Sequence, residues 1–219
     1  MTLKHKKWVC LAIGLVLAGL VIAFGVRDTR PVLVCFGDSL TACGGKGGYY
    51  SDWLAKQLPH VRVVNAGVGG DTLEQGRHRY AKDVLRHRPK IVLIAMGAND
   101  FWKATRTVSE LQEYLEGMVT AAQAKQAKVI IASCFGDRQF WEETCVEFSF
   151  SRFELATEIA EMEQAVCKKH NCTYIPNMQI DVKPNRLPPY WDATDHPNKK
   201  GNEQVALRLL PSIIAAMRN

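Results

Sequence analysis

Hydrophobic residues along this chain fall into short unbroken runs that alternate with longer stretches of helical periodicity. The runs lack the regular polar alternation of a strand with one face in water, which predicts strands that are covered on both faces, as in a parallel sheet. Five strands are expected on this basis, at residues 32–36, 61–66, 90–97, 128–133 and 172–176.

The stretches between and after these runs carry the apolar spacing of amphipathic helices. Alternation of strands with helices predicts a doubly wound α/β fold, in which ligands bind beyond the carboxyl ends of the strands. The loops that follow the strands are therefore the places to look for chemistry. The helices are expected at residues 49–58, 72–87, 108–126, 152–170 and 199–217, and residues 140–150 are interpreted as an insertion at the edge of the site.

The N-terminal region has a different character from the rest. Residues 8–26 are nineteen residues without charge or proline, and Lys4, Lys6 and Lys7 precede them. That length suits a membrane-spanning helix with the lysines on the cytoplasmic side. We therefore predict a membrane anchor and linker at residues 1–30 and an extracytoplasmic (periplasmic) domain at residues 31–219. A cleaved signal peptide and a secreted domain are the alternative, although no small-x-small cleavage pattern closes the apolar run.

The formal charge of +6 belongs mainly to this N-terminal region. Residues 1–30 carry five basic residues and one acidic residue, a net of +4, which leaves +2 for residues 31–219. A domain so nearly neutral does not have the charge of a nucleic-acid-binding face. Six of the seven cysteines lie outside the apolar segment, and two local pairings, Cys167 with Cys172 and Cys134 with Cys145, stay open beside free thiols.

Polar motifs follow three of the predicted strands, and a fourth lies near the C-terminus. Residues 37–40 are GDSL, 65–72 are NAGVGGDT, 97–100 are GAND and 192–198 are DATDHPN. Acyl transfer needs a nucleophile, a base, a group that orients the base, and donors for the oxyanion. The motifs supply candidates for all of these roles. Ordinary structural roles also fit, such as helix caps and turns, including a capping box of Asp71 with Glu74.

In these motifs the chain resembles the SGNH subgroup of the GDSL hydrolases, especially the bacterial lysophospholipase, acyl-CoA thioesterase I and arylesterase type. The resemblance implies a flavodoxin-like three-layer α/β/α sandwich with a five-stranded parallel sheet, and neither a metal nor an organic cofactor. It also implies that Ser39 is the nucleophile and His196 the base. The oxyanion donors implied are the backbone N–H groups of Ser39 and Gly70 and the side-chain amide of Asn99.

One position departs from the family pattern. The family usually places the triad aspartate three residues before the histidine, where this chain has Ala193. Asp192 lies four residues before His196 and Asp195 lies directly before it. We favour Asp192, because a small loop adjustment brings it behind the imidazole, whereas adjacent side chains seldom face each other. Asp195 is the alternative triad acid.

These expectations amount to a serine esterase that hydrolyses small-molecule or lipid acyl esters through an acyl-enzyme. A carbohydrate O-acetylesterase is the alternative substrate class, and a non-catalytic membrane-tethered glycan- or lipid-binding module is the alternative of another kind. The glycine-rich residues 44–48 are interpreted as a flexible loop after the nucleophile. Aromatic residues near the rim are expected to line an acyl groove: Tyr49, Tyr50, Phe101, Trp102 and Trp191.

Overall fold

The structure is a computed structural model that describes residues 28–135, 150–178, 190 and 196–218. The predicted apolar segment at residues 8–26 lies outside this part of the chain, as does nearly all of the predicted insertion. Within the described residues, no helix has both the length and the apolar character needed to cross a membrane. The N-terminal anchor and the domain boundary at residue 31 stay predictions.

The five predicted strands are all present, each within two residues of its expected limits. The five predicted helices are present as well, although the second ends early and is followed by a 3-10 turn at Leu85–His87. Two short helices, α1 and α4 below, were not predicted. The elements are β1 (Val32–Gly37), α1 (Ser39–Ala42), α2 (Tyr50–Gln57), β2 (Arg62–Gly67), α3 (Leu73–Asp83), β3 (Ile91–Ala95), α4 (Ala98–Lys103), α5 (Val108–Gln123), β4 (Lys128–Ala132), α6 (Phe150–His170), β5 (Thr173–Ile175) and α7 (Lys199–Arg218).

The strands form one parallel sheet in the order β2-β1-β3-β4-β5. This is the strand order of flavodoxin-like folds, in which the crevice at the reversal of strand order binds ligands. β1 is central, with β2 on one side and β3 on the other. The loops after these three strands therefore lie next to one another at the carboxyl edge of the sheet.

The inner strands β1, β3 and β4 are buried on both faces, which explains their unbroken apolar runs. Along β1, Val34 and Phe36 pack into the core cluster beneath α3, α5 and α6, whereas Leu33 and Cys35 pack into the cluster beneath α2 and α7. Successive side chains of a strand point to opposite faces, so an alternating pattern disappears when both faces are covered. The predicted α/β fold with a five-stranded parallel sheet is confirmed.

The start of α3 differs from the expected capping box. Thr72, not Asp71, is the N-cap residue, and its hydroxyl accepts the N–H of Gln75 at 3.4 Å while Gln75 accepts the N–H of Thr72 at 3.0 Å. The prediction of an Asp71 and Glu74 box is therefore wrong by one residue. The reason is that the Asp71 carboxylate is held by Arg79.

One of the two suggested cysteine pairings can be examined. Cys167 and Cys172 are free thiols, and the backbone N–H of Cys172 donates to the carbonyl of Cys167 at 2.9 Å. Cys145 lies outside the described residues, so its pairing with Cys134 stays a prediction.

Candidate active site

The predicted nucleophile lies where β1 gives way to α1. Asp38 caps this short helix, and its carboxylate accepts the N–H of Leu40 at 2.9 Å. Ser39 is the first helical residue and is partly exposed. A Cβ at Gly37 would lie 2.1 Å from Thr41 Oγ1. Only glycine therefore lets α1 turn so closely over the end of its own strand, and this close turn places Ser39 at the edge of the sheet.

The loop after β2 runs beside the serine. The N–H of Val68 donates to the carbonyl of Gly37 at 3.0 Å, which joins this loop to the end of β1. A Cβ built on Gly69 would lie 3.9 Å from Ser39 Cβ, so the two residues are in contact range. Gly70 has a φ of +82°, a conformation that glycine adopts without strain. The turn thus passes beside the predicted nucleophile.

The loop after β3 completes this group. Gly97, with a φ of +111°, begins α4, and the side chain of Asn99 donates one amide hydrogen to the carbonyl of Asp71 at 3.1 Å. An amide carries two hydrogens, so one is left for another acceptor. Two contacts connect the loops of these residues, that of Gly69 with Ser39 and that of Asn99 with Asp71. We call Ser39, Gly70 and Asn99 the oxyanion edge, after their predicted role. Among the described residues, no partner accepts the backbone N–H of Ser39 or Gly70.

A residue that the sequence analysis missed ties this edge together. Arg79 on α3 donates to the carbonyls of Gly37 and Ala66 at 2.8 Å each and forms an ion pair with Asp71. Its guanidinium also lies 4.3 Å from the ring of Phe36. One side chain thus binds the ends of β1 and β2 and the residue that follows Gly70. The rigid fork of arginine suits three such acceptors.

A buried carboxylate, that of Asp100, also stabilises the oxyanion edge. Asp100, next to Asn99, accepts the N–H of Leu73 at 3.0 Å and so joins α4 to the start of α3. Burial raises the pKa of Asp100 to about 6 and the pKa of Asp38 to about 7, and the proximity of Asp100 adds to the shift of Asp38. Ionisation of Asp38 or Asp100 disfavours the loop conformation that buries it, because an ionised carboxylate is costly to bury.

The predicted base lies at the entrance to α7. His196 is partly buried, and Asn198 two residues later accepts the backbone N–H groups of Lys200 and Gly201 at 2.9 Å and 3.2 Å. The N–H of Asn198 donates to the carbonyl of Tyr190 at 2.9 Å. Helix capping therefore anchors the segment that carries His196. Asp192 and Asp195 lie outside the described residues, so the choice of triad acid stays a prediction.

Gly44 and Gly48, at the two ends of the glycine-rich residues 44–48, pack tightly, whereas Gly45 and Gly47 between them have open space around them, so the expected flexibility of this loop stays a prediction. A Cβ on Gly44 would lie 2.6 Å from Asn202 Nδ2, and one on Gly48 would lie 2.4 Å from Lys199 Cγ. Gly44 and Gly48 therefore allow close contact with the start of α7. This contact joins the segment after the nucleophile to the segment of His196. We call residues 196–202 and the loop that packs on them, residues 43–48, the histidine edge.

Two of the five aromatic residues expected in an acyl groove lie in the core instead. Tyr50 and Phe101 are buried in the core on opposite faces of the sheet, and the hydroxyl of Tyr50 is 3.0 Å from Thr41 Oγ1. Trp191 lies outside the described residues. Trp102 is 55% exposed and stands edge-on to Phe101, with the ring centroids 5.0 Å apart. Trp102, three residues after Asn99, and the 41% exposed Val68, two residues before Gly70, are exposed apolar side chains close in sequence to the oxyanion edge.

The fold is a three-layer α/β arrangement, and a serine, a glycine turn and an asparagine follow three adjacent strands of its sheet. Residues 35–204 match the family described as the GDSL-like Lipase/Acylhydrolase family. The match covers well over half of the chain, so the chain belongs to this family. The resemblance predicted from the motifs is confirmed, and so, at the level of the family, is the assignment to ester hydrolases.

Similar proteins agree with this assignment. The chain is 33% identical over 88 residues to an acetylxylan esterase of Geobacillus stearothermophilus, covering 32% of this chain and 40% of the relative. It is 34% identical over 100 residues to thioesterase 1/protease 1/lysophospholipase L1 of Escherichia coli K12, covering 42% and 47%. The matches thus span about half the length of these curated relatives. The crystal structure of TesA shares the fold, with a TM-score of 0.71, 22% identity, and coverage of 84% of this chain and 99% of TesA.

Proposed function

We propose that this chain is a serine esterase that hydrolyses acyl esters through a covalent acyl-enzyme. The observation that supports the proposal most is the convergence of Ser39, the turn at Gly70 and the amide of Asn99 at adjacent strand ends. A serine alone can cap a helix, but a serine beside several unused N–H donors has the arrangement that acyl transfer requires. Membership of the GDSL-like family supports the same reaction class.

The proposed reaction has two steps. Ser39 Oγ attacks the ester carbonyl carbon while His196 accepts the hydroxyl proton, and the carbonyl oxygen becomes an oxyanion that accepts the donors of the oxyanion edge. The bond to the alcohol then breaks, and His196 returns its proton to the leaving oxygen. Water that loses a proton to His196 next attacks the acyl-enzyme, the bond to Ser39 Oγ breaks, His196 returns the proton to Oγ, and the carboxylic acid leaves. Asp192 is proposed to orient His196, with Asp195 as the alternative.

The proposed substrate is a small-molecule or lipid ester with an apolar acyl chain. Val68 lies in the loop after β2 and Trp102 in α4, close in sequence to Gly70 and Asn99, and both are exposed. Exposed apolar side chains beside a polar site are suited to an acyl chain. The similarity to the Escherichia coli protein named as a thioesterase and lysophospholipase supports this choice.

A carbohydrate acetyl ester is the second candidate substrate. The similarity to the protein named as an acetylxylan esterase supports it, since the same nucleophile and donors serve for the acetyl group. The two candidate substrates differ in the length of the acyl chain, and this chain is proposed to contact Val68 and Trp102.

The test is hydrolysis of p-nitrophenyl esters from acetyl to palmitoyl, with Ser39→Ala as the control. Turnover that depends on Ser39 and increases with chain length is expected. An optimum at acetyl would favour the carbohydrate esterase instead. A folded protein that binds ester ligands equally well with or without Ser39, and turns none over, would support a non-catalytic binding module.

The proposed location places the domain beside a bilayer. The uncharged residues 8–26 and the lysines before them support a membrane anchor with the domain on the extracytoplasmic side. Sedimentation of the full chain with membranes, resistant to high salt and carbonate, is expected. Full release by those washes, or a mature N-terminus beyond residue 26, would favour a secreted protein.

A further inference from the structure

Asn202, on the first turns of α7, is completely buried, and its side chain touches two separate loops. The amide nitrogen lies 2.8 Å from the carbonyl of Pro197, 3.1 Å from that of Asn198 and 3.3 Å from that of Cys43. The two amide hydrogens are therefore shared among three main-chain carbonyls. The first two contacts are local to the helix start, but the third reaches a residue 159 positions earlier in the chain.

The positions of these carbonyls give the contacts their meaning. Pro197 directly follows His196, and Cys43 directly follows α1, the helix that begins with Ser39. A single buried amide thus holds the segment of the proposed base against the segment of the proposed nucleophile. Neither partner contributes a charged group to this contact.

The surrounding packing is shaped around the Asn202 amide. Gly44 has a φ of +101°, and any side chain there would press on Asn202 Nδ2. On the far side, a Cβ on Gly201 would lie 2.3 Å from the carbonyl of Tyr190. Glycines at both positions therefore allow the main chain to approach from two directions. The sulfur of Cys43 also lies beside the amide, 3.6 Å from Asn202 Nδ2 and 3.9 Å from Oδ1.

These contacts imply a specific sensitivity. Without the amide, the carbonyls of Pro197 and Cys43 lose a buried donor, and buried polar groups without partners are unfavourable. The two loops are then expected to separate slightly. A displacement of about 1 Å in a reacting group can lower a rate by about a hundredfold.

We propose that Asn202 is a positioning residue that sets His196 against Ser39. It acts through main-chain carbonyls on both sides and does not contact the substrate. The inference rests on the proposed function, because it assigns Asn202 a part in the pairing of the nucleophile with its base.

The test measures the reactivity of Ser39 directly, with the full chain. A fluorophosphonate probe labels a serine that a base has activated, and its second-order rate does not depend on knowing the ester substrate. Asn202→Leu keeps the volume of the side chain and removes the donors. We expect its labelling rate and its kcat for p-nitrophenyl acetate to fall by about tenfold to a hundredfold. KM is expected to change less than about twofold, because no contact with substrate is lost.

The matched control is Gln123→Leu, which removes another amide that bridges two segments. Gln123 Nε2 donates to the carbonyl of His170 at 2.6 Å and joins α5 to α6, away from the site. This change is expected to lower Tm and leave the labelling rate within about twofold of wild type. A comparable loss of rate in both variants would overturn the positioning role, since any weakening of the fold would then suffice.

A second comparison uses the His196→Ala background. Asn202 is proposed to act through His196, so Asn202→Leu is expected to cause little further loss of labelling once the imidazole is gone. An additional loss of about tenfold there contradicts the inference. If Asn202→Leu fails to accumulate as folded protein, Gly44→Ala disturbs the same contact from the opposite loop, and the same outcomes apply.

The outcomes separate this inference from the proposed function. Wild-type protein that the probe does not label, or labels equally after Ser39→Ala, would remove the proposed function and the inference with it. Labelling that depends on Ser39 but is unchanged in a folded Asn202→Leu would remove only the inference.

Discussion

The two halves of the candidate site are held in place by different chemistry. At the oxyanion edge, an arginine and a buried carboxylate fasten the loops to the sheet and to α3, through Arg79 with Asp71 and Asp100 with Leu73. At the histidine edge, the amides of Asn198 and Asn202 and close contacts at glycines do the same work. Charged side chains hold the oxyanion edge in place, whereas neutral amide side chains and close packing at glycines hold the histidine edge.

The difference suggests a division of labour. Donors for an oxyanion must be fixed before the reaction, and a charged network anchored to strand ends provides that rigidity. A base must exchange a proton during the reaction, and neutral amides hold its segment without adding a charge that would change with pH. The predictions below test whether the two edges are separate in this way.

The largest effect is expected at the triad acid. Asp192→Asn is expected to lower kcat by about 10³-fold to 10⁴-fold, because a histidine without its orienting carboxylate is held in the wrong tautomer. Asp195→Asn is expected to lower kcat by less than about tenfold. Steady-state kinetics with p-nitrophenyl esters measures both. The reverse order of effects would assign the role to Asp195, and equal, mild losses would remove the triad assignment.

At the oxyanion edge, Asn99→Ala is expected to lower kcat by about a hundredfold or more with little change in KM. The second amide hydrogen of Asn99, which the bond to Asp71 leaves over, is proposed to bond the oxyanion, which exists only along the reaction path. The control is Gln112→Ala, since Gln112 pairs with Glu116 on α5. Kinetics of Asn99→Ala that match the control would exclude Asn99 from the oxyanion hole.

Arg79→Lys tests the network that holds this edge. Lysine keeps the charge but lacks the fork that binds Gly37, Ala66 and Asp71 together, so kcat is expected to fall by about tenfold. Arg106→Lys is the control, because Arg106 also pairs with α3, through Glu74, but at the surface. An exposed pair of this kind is worth little, and less than about a twofold change is expected. Similar effects of the two changes would mean that Arg79 has no special role.

The sequence predicted the framework of the fold well, and the reason is physical. Strands buried on both faces have a local signature, and their carboxyl ends mark the loops that carry Ser39, Gly70 and Asn99. Helices α1 and α4 were missed because four and six residues are too few to show a period. The sequence therefore failed to predict only the helices that are too short to show a periodic pattern.

Contacts between distant parts of the chain left no such signature. Nothing around Arg79 distinguishes it from the neighbouring Arg77, which lies over the ring of Tyr114. Asn202 resembles any polar residue near a helix start, and its partner Cys43 is far away in sequence. The glycines of residues 44–48 suggested flexibility, and the sequence did not indicate that two of them, Gly44 and Gly48, pack closely against α7. Such roles depend on which segments meet, and a local pattern does not contain that information.

The smallest predicted effect is on stability and also separates the two edges. Glu163 on α6 is buried, its Oε1 would lie 3.3 Å from a Cβ on Gly97, and burial raises its pKa to about 8. In the folded chain Glu163 therefore keeps its proton at pH values above the ordinary pKa of glutamate, at which the unfolded chain has released it. The contribution of Glu163 to the free energy of unfolding is greatest at low pH and declines as the pH rises to about 8.

Glu163→Gln stays neutral at every pH, so its Tm relative to wild type is expected to rise between pH 5 and pH 9, by on the order of 5 °C. The labelling rate of Ser39 in wild type is expected to decline over the alkaline part of this range, and less so in the variant, because Gly97 begins the helix of Asn99. The effect of Asn202→Leu on that rate is expected to be the same at pH 7 and pH 9, since amides do not titrate. A difference in Tm that stays constant with pH would show that Glu163 is not a buried neutral acid, and a pH-dependent effect of Asn202→Leu would show that the two edges are coupled.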